Sequence, residues 1–243
     1  MTHDTMLPDP AIGPGEVSVL LAENFVSVQG EGPYTGQHCA FVRFSRCNLS
    51  CSWCDEKRTW DWTQYRPDEV SRRMPVAAVA DWVRESGVDL LVITGGEPMI
   101  QQPAMIALAE QVRPSVRVQV ETNGTQAPTP HLAQLVDLWV VSPKLAHSGV
   151  AYSRRIVPPA LEALRDSGRR VAFKFVVTDN PAADFAEIDA LAADLGLDPV
   201  TIWVMPEGET AHRVAAGVEQ LREPAAARGW QVSTRLHILQ GVR

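Results

Sequence analysis

Three of the chain's four cysteines fall within eight positions, in Cys47-Asn-Leu-Ser-Cys51-Ser-Trp-Cys54. Thiolates bind metal, and three on one short loop can take three corners of an iron–sulfur cubane. The competing chemistry is zinc. A structural zinc site wants four ligands, usually as two separated pairs. The fourth thiol, Cys39, sits inside an apolar stretch, and no second C-x2-C occurs. Cys39 therefore reads as a small core residue. With three cysteine ligands one iron keeps an open position, and open metal sites are where catalysis happens. A secreted disulfide scaffold would space its cysteines more widely.

Other segments carry chemistry less loudly. Thr94-Gly95-Gly96-Glu97-Pro98 closes an apolar run some forty residues after Cys54. Its two glycines allow close backbone approach; alone it would be an ordinary strand-to-helix turn. Glu121-Thr122-Asn123-Gly124-Thr125 holds an Asn-Gly turn signal. Gln29-Gly30-Glu31-Gly32 precedes the cysteines, Phe41-Val42-Arg43 leads into them, and Ser142-Pro143-Lys144 ends a later apolar run.

The elements that position these residues alternate. Val17–Val28, His38–Phe44, Val88–Thr94, Val116–Glu121, Leu138–Ser142, Val171–Thr178 and Val200–Met205 read as strands, with Trp230–Arg235 as a last one. Pro75–Ser86, Pro103–Val112, His131–Val136, Pro158–Ser167, Pro181–Leu195 and Glu209–Arg228 read as helices. Such alternation argues for parallel βαβ units. Eight full units need about 250 residues, so the pattern predicts an α/β fold, an incomplete (β/α) barrel of about six parallel strands. The cysteine loop then lies at a C-terminal strand end, where such barrels place their chemistry. Residues 1–16 read as a mobile tail and 17–243 as a single domain. Residues 57–74 are polar, Trp-rich and long for a connection, which marks a functional insertion.

Composition narrows the class. The 243 residues are 45% hydrophobic, and the formal net charge is −7 with basic residues scattered. That argues against a nucleic-acid surface. No apolar run approaches the roughly 20 residues of a membrane span. The N-terminus has Asp4, Asp9 and three prolines and lacks an apolar core of signal-peptide type. The expectation is a cytoplasmic protein.

The C-x3-C-x2-C spacing, with an aromatic residue before the last cysteine and a Gly-Gly-Glu-Pro segment downstream, resembles the radical S-adenosylmethionine (SAM) superfamily. The fuller set of Gln29 to Gly32, Phe41 to Arg43, Cys47 to Asp55, Ser142 to Lys144 and Leu236-His237 resembles 7-carboxy-7-deazaguanine synthases, from about Val17 to the end. The resemblance implies a lyase holding a 4Fe-4S cluster on Cys47, Cys51 and Cys54. The cluster's open iron would chelate SAM, and reduction would release a 5′-deoxyadenosyl radical. The implied reaction converts 6-carboxy-5,6,7,8-tetrahydropterin to 7-carboxy-7-deazaguanine and ammonia, in 7-cyano-7-deazaguanine and queuosine biosynthesis. By resemblance Trp53, Cys54, Asp55, Gly96, Glu97, Ser142, Pro143 and Lys144 serve the SAM site. Val28, Gln29, Gly30, Glu31, Arg43 and Thr94 serve the pterin, Arg43 by holding its carboxylate. A homodimer and a flavodoxin- or ferredoxin-type electron donor are also implied.

Two positions depart from the family. Glu56 stands where the family has a threonine, or sometimes a serine, that helps hold Mg2+. A carboxylate is a good hard-oxygen ligand, but it can equally pair with Lys57 or Arg58. The chain also ends Leu239-Gln240-Gly241-Val242-Arg243, without the longer Trp-Gly tail of many relatives. Rival readings are a glycyl-radical activating enzyme, a member of a deazapurine natural-product pathway, and a non-catalytic iron–sulfur or zinc protein.

Overall fold

The computed structural model describes residues 12–242; residues 1–11 of the expected tail and Arg243 lie outside the described residues. The nine strands are β1 (Ser18–Val28), β2 (His38–Phe44), β3 (Arg72–Pro75), β4 (Leu90–Gly95), β5 (Arg117–Thr122), β6 (Leu138–Val141), β7 (Arg170–Val177), β8 (Ile202–Pro206) and β9 (Gln231–Val232). They form one sheet in the order β3-β1-β2-β4-β5-β6-β7-β8-β9. From β2 through β9 every pairing is parallel, while β1 runs antiparallel to both β2 and β3. The expected incomplete barrel is present, with β1 and β3 as an antiparallel extension at one edge.

The helices are α1 (Pro67–Val70), α2 (Val76–Glu85), α3 (Gln102–Val112), α4 (Pro130–Leu135), α5 (Tyr152–Arg155), α6 (Pro158–Arg165), α7 (Pro181–Leu195), α8 (Ala211–Ala226) and α9 (Leu236–Gln240). Five of them, α1, α3, α4, α6 and α7, carry proline in the first turn, where its missing N–H costs nothing. In α2, Val76, Val79, Ala80 and Val83 are buried, one stripe at helical spacing.

Alternation along the strands makes two cores. Val42, Ile93, Val120, Trp139, Val141, Phe173 and Phe175 point to the helices and join the main core. The other face of the sheet lines the barrel interior, where Phe25, Cys39, Phe41, Leu90, Val92, Leu138 and Val140 form a smaller apolar floor. Phe25 and Phe41 stack there with centroids 4.9 Å apart. Further along the same inward rows come Arg43, Thr94, Glu121 and Lys174. The register sets Arg43 opposite Thr94. Thus the interior passes from an apolar floor to a polar rim at the C-terminal strand ends.

Two sequence readings change. The expected strand Trp230–Arg235 shrinks to β9, because Arg235 turns out of line toward Glu31, Asp55 and the Gly208 carbonyl. The short helix α9 follows. The 57–74 insertion is not simply a loop: it contains α1 and β3, and β3 pairs Arg72–Pro75 with Ser18–Leu21. No helix among the described residues is long and apolar enough to cross a membrane.

Candidate active site

A cavity of about 760 Å³ opens at the C-terminal strand ends. That is ample for more than one small ligand. Of the residues anticipated from sequence, Val28, Gln29, Gly30, Glu31, Arg43, Cys47, Cys51, Trp53, Cys54, Asp55, Glu56, Thr94, Gly96, Ser142 and Lys144 line it. Glu97 and Pro143 do not.

The cysteine loop is held mostly by neutral contacts, with Arg154 Nη2 also donating to the Asn48 carbonyl (2.8 Å). A Cβ on Gly96 would stand 2.4 Å from the Arg46 carbonyl oxygen and 2.7 Å from the Cys47 Cβ. One on Gly95 would stand 2.3 Å from the Phe44 carbonyl oxygen. The glycine pair therefore lets the loop's own backbone settle on the end of β4. Glu97, expected at the SAM site, is instead a brace. Sealed in the core, its carboxylate accepts from Met99 N (3.0 Å), Thr122 Oγ1 (2.8 Å) and Asn123 N (2.6 Å). Burial pushes its pKa up against those donors. Asn123 Nδ2 in turn donates to Asn48 Oδ1 (2.9 Å), and Asn48 Nδ2 donates to Thr125 Oγ1 (2.7 Å). The Thr-Asn-Gly turn thus pins the cysteine loop from beneath.

The thiols fit a cubane. Leu49 N points to Cys47 Sγ and Glu56 N to Cys54 Sγ, both at 3.4 Å, as N–H donors toward sulfur ligands. Burial pushes the Cys47 thiol up to about 12, with the Leu49 N–H and Lys144 opposing. Burial also raises Cys51. Thiolates in this setting need metal to form. Among the described residues no group of three His, Cys, Asp or Glu is placed around a single ion; a cubane instead spreads its thiolates over three irons. Cys39 lies in the apolar floor, fully buried, and burial raises its pKa too. Lys144 Nζ donates to Ser142 Oγ (3.0 Å) and stands 5.4 Å from the centroid of the Trp53 ring. Trp53 Nε1 is buried without a hydrogen-bond partner among the described residues.

The opposite wall is ionic. Glu31 pairs with Lys174 and, at 3.1 Å, with Arg235. Burial alone would raise the Glu31 pKa, but these two cations hold it down near 2. Arg235 also reaches Asp55 (2.7 Å) and the Gly208 carbonyl (2.7 Å), tying the C-terminal segment to the cluster loop. Gln29 and Thr94 both donate to Glu121, at 3.1 and 3.0 Å. Gly30 makes room for His237, whose Nδ1 would lie 1.9 Å from any Cβ there.

Arg43 joins a four-membered group. Its Nε contacts Glu23 Oε1 (2.7 Å) and Glu56 Oε2 (3.2 Å). Arg58 Nη2 contacts Glu23 Oε1 (2.7 Å), and Arg58 Nε bonds Glu56 Oε1. Mg2+ does not fit this arrangement, since both Glu56 oxygens already face guanidinium groups. The anticipated ligand role of Glu56 gives way to the ion pair with Arg58, joined by Arg43.

Sequence reasoning missed Glu23, Lys174 and Arg235 as site residues; of the two partners offered for Glu56, the structure selects Arg58. Lys174 carried a signal: a lone lysine in the apolar run Arg170–Val177 needs a buried partner. Arg58 was legible only as a neighbour of Glu56; its second contact, to Glu23, is made from the short 3-10 turn Lys57–Thr59.

Residues 41–215 match the radical SAM superfamily. The chain is 32% identical over 225 residues to the 7-carboxy-7-deazaguanine synthase of Pyrobaculum aerophilum, covering 91% of this chain and 94% of that one. It is 32% identical over 235 residues to that of Rhodopirellula baltica, covering 92% and 86%. The crystal structure of QueE from Escherichia coli superposes with a TM-score of 0.67 at 26% identity, over 90% of this chain and 95% of the other. With three cysteines, the glycine pair and the ionic wall around one cavity, the chain belongs to the 7-carboxy-7-deazaguanine synthase family of the radical SAM superfamily.

Proposed function

We propose that the protein is a lyase converting 6-carboxy-5,6,7,8-tetrahydropterin to 7-carboxy-7-deazaguanine and ammonia, toward queuosine, in the cytoplasm. The observation that carries this reading is the cavity itself: the cysteine loop and the Arg43, Glu31 and Glu121 side chains open onto one space. The family match, over 91% of the chain for the Pyrobaculum aerophilum relative, supplies the reaction.

Cys47, Cys51 and Cys54 would hold a 4Fe-4S cluster, which together with SAM supplies the radical when bound. Ser142, Lys144, Trp53, Asp55 and Gly96 would shape the SAM pocket. The pterin would lie between these and the ionic wall. Arg43 presents a guanidinium to its carboxylate, a geometry that favours bidentate pairing. Thr94, Gln29 and Glu121 form one hydrogen-bonded unit that would orient the ring, with Glu31 and the Val28 and Gly30 backbone beside it. Residues 17–243 would act as one domain. A homodimer and reduction by a small flavodoxin- or ferredoxin-type protein complete the proposal.

The test is anaerobic reconstitution with iron and sulfide, then assay with SAM, a reductant and the carboxylated tetrahydropterin. The reading expects 7-carboxy-7-deazaguanine and ammonia, with SAM regenerated. A full cluster that cleaves SAM but leaves the pterin unchanged would refute it.

A further inference from the structure

We infer that this chain recognises its substrate's carboxylate with guanidinium groups and no divalent cation, Arg58 supplying the positive charge that a metal would bring. The inference rests on the pterin reading above and concerns the same site.

Glu23, Glu56, Arg43 and Arg58 make a square of two anions and two cations, whose four formal charges sum to zero. Glu56 Oε2 lies 3.2 Å from Arg43 Nε and 3.2 Å from Arg58 Nη2, and its Oε1 bonds Arg58 Nε. A cation bound to Glu56 would have to displace a guanidinium and then sit beside two positive charges, which repel it at close range. Arg43 approaches both acids with its Nε. A guanidinium has five N–H donors, and the two Nη groups of Arg43 make no hydrogen bond among the described residues. Arg43 lies on the cavity wall, so that pair of donors is what an incoming carboxylate can take.

Arg58 then has a definite task. Glu23 and Glu56 together carry two negative charges beside the carboxylate's place. With Arg58 they are balanced and the square accepts an anion. Without it the group is left net negative, Glu56 loses a partner, and the site acquires both a reason and a ligand for a divalent cation.

The experiment uses the reconstituted holoenzyme with SAM. Binding of 6-carboxypterin, an oxidised unreactive analogue, and of pterin lacking the carboxylate is measured calorimetrically, with chelator and with millimolar Mg2+. The parent should bind 6-carboxypterin equally in both media. Arg58→Gln should bind it roughly ten- to a hundredfold more weakly in chelator, as expected for losing a charged partner. It should recover in Mg2+ and bind the carboxylate-free pterin like the parent. Arg58→Lys, which keeps the charge, should stay cation-independent; should Arg58→Gln fail to fold, Arg58→Lys and the parent still decide. Binding by the parent that collapses on chelation overturns the inference alone, as does Arg58→Gln behaving like the parent throughout. No binding by the parent in either medium overturns the pterin reading, and this inference with it.

Discussion

Glu97 beneath the cysteine loop and Glu31 on the far wall are both buried carboxylates, and their pKa values move in opposite directions. Glu97 has no exposed surface, and burial raises it against its neutral hydrogen-bond donors and the more distant Lys144 charge. Glu31 keeps 15% exposure and meets Lys174 and Arg235, which hold it near 2 despite burial. The cluster wall is thus built mainly from neutral hydrogen bonds and glycine contacts that fix one geometry. The wall proposed to face the substrate is built from ion pairs, whose partners an anionic ligand can share. A cofactor site needs the first and an exchangeable ligand site the second.

The largest effect should come from the cluster wall. Cys47→Ala, Cys51→Ala or Cys54→Ala should abolish the iron–sulfur absorbance and all activity, and Cys39→Ala should keep both. A cluster that survives Cys51→Ala but not Cys39→Ala would put the metal on the wrong side of the comparison.

On the ionic wall, Glu31→Gln leaves Lys174 buried beside a neutral partner, a change worth about 3–5 kcal/mol of stability. Urea unfolding measures it. The pH dependence follows from the lowered pKa. The stabilisation is complete above about 4.5, the ordinary carboxylate value, and is lost as pH falls toward about 2. The gap between parent and variant should therefore close on acidification. A gap that widens instead would show that the pair is not what stabilises.

Glu97→Gln tests the neutral wall. It keeps the shape but turns an amide NH2 toward backbone and hydroxyl donors, costing about 1–3 kcal/mol. Glu97 is raised, so its contribution runs the other way: full at acid pH and lost as pH rises through its folded value. The Glu97→Gln gap should narrow toward neutral pH, where the Glu31→Gln gap is full.

The smallest effect is Arg43→Lys. Charge remains while the fork is lost, so pterin affinity should fall by about tenfold, equivalent to ~1.4 kcal/mol. Cluster content and SAM affinity should hold. Weakened SAM binding with unchanged pterin binding would place Arg43 on the cluster wall.

The neutral wall was far more legible in the sequence than the ionic one. Cys47 to Cys54, Gly95-Gly96 and Asn123 sit in short motifs whose spacing fixes their chemistry, and proline-led helices such as Pro158–Arg165 and Pro181–Leu195 mark the units between them. The ion pairs join residues far apart in the chain: Glu31 to Lys174 and Arg235, Glu23 to Arg58. No local pattern encodes such pairs. β3 was equally hidden, since Arg72-Arg73-Met74-Pro75 looks nothing like a strand until β1 offers it an edge. Glu97 misled in its own way: its motif was recognised, yet its carboxylate points into the fold.

Among the described residues the sheet does not close, and β3 and β9 are its edge strands. Open edges are templates for unwanted strand pairing between molecules. Here β9 is only two residues long, and β3 has four, including Arg72, Arg73 and Pro75. Charge and proline discourage a neighbour on one side, and sheer brevity does so on the other. An enzyme that must hold its barrel open for ligands thereby stays resistant to aggregation along its seams.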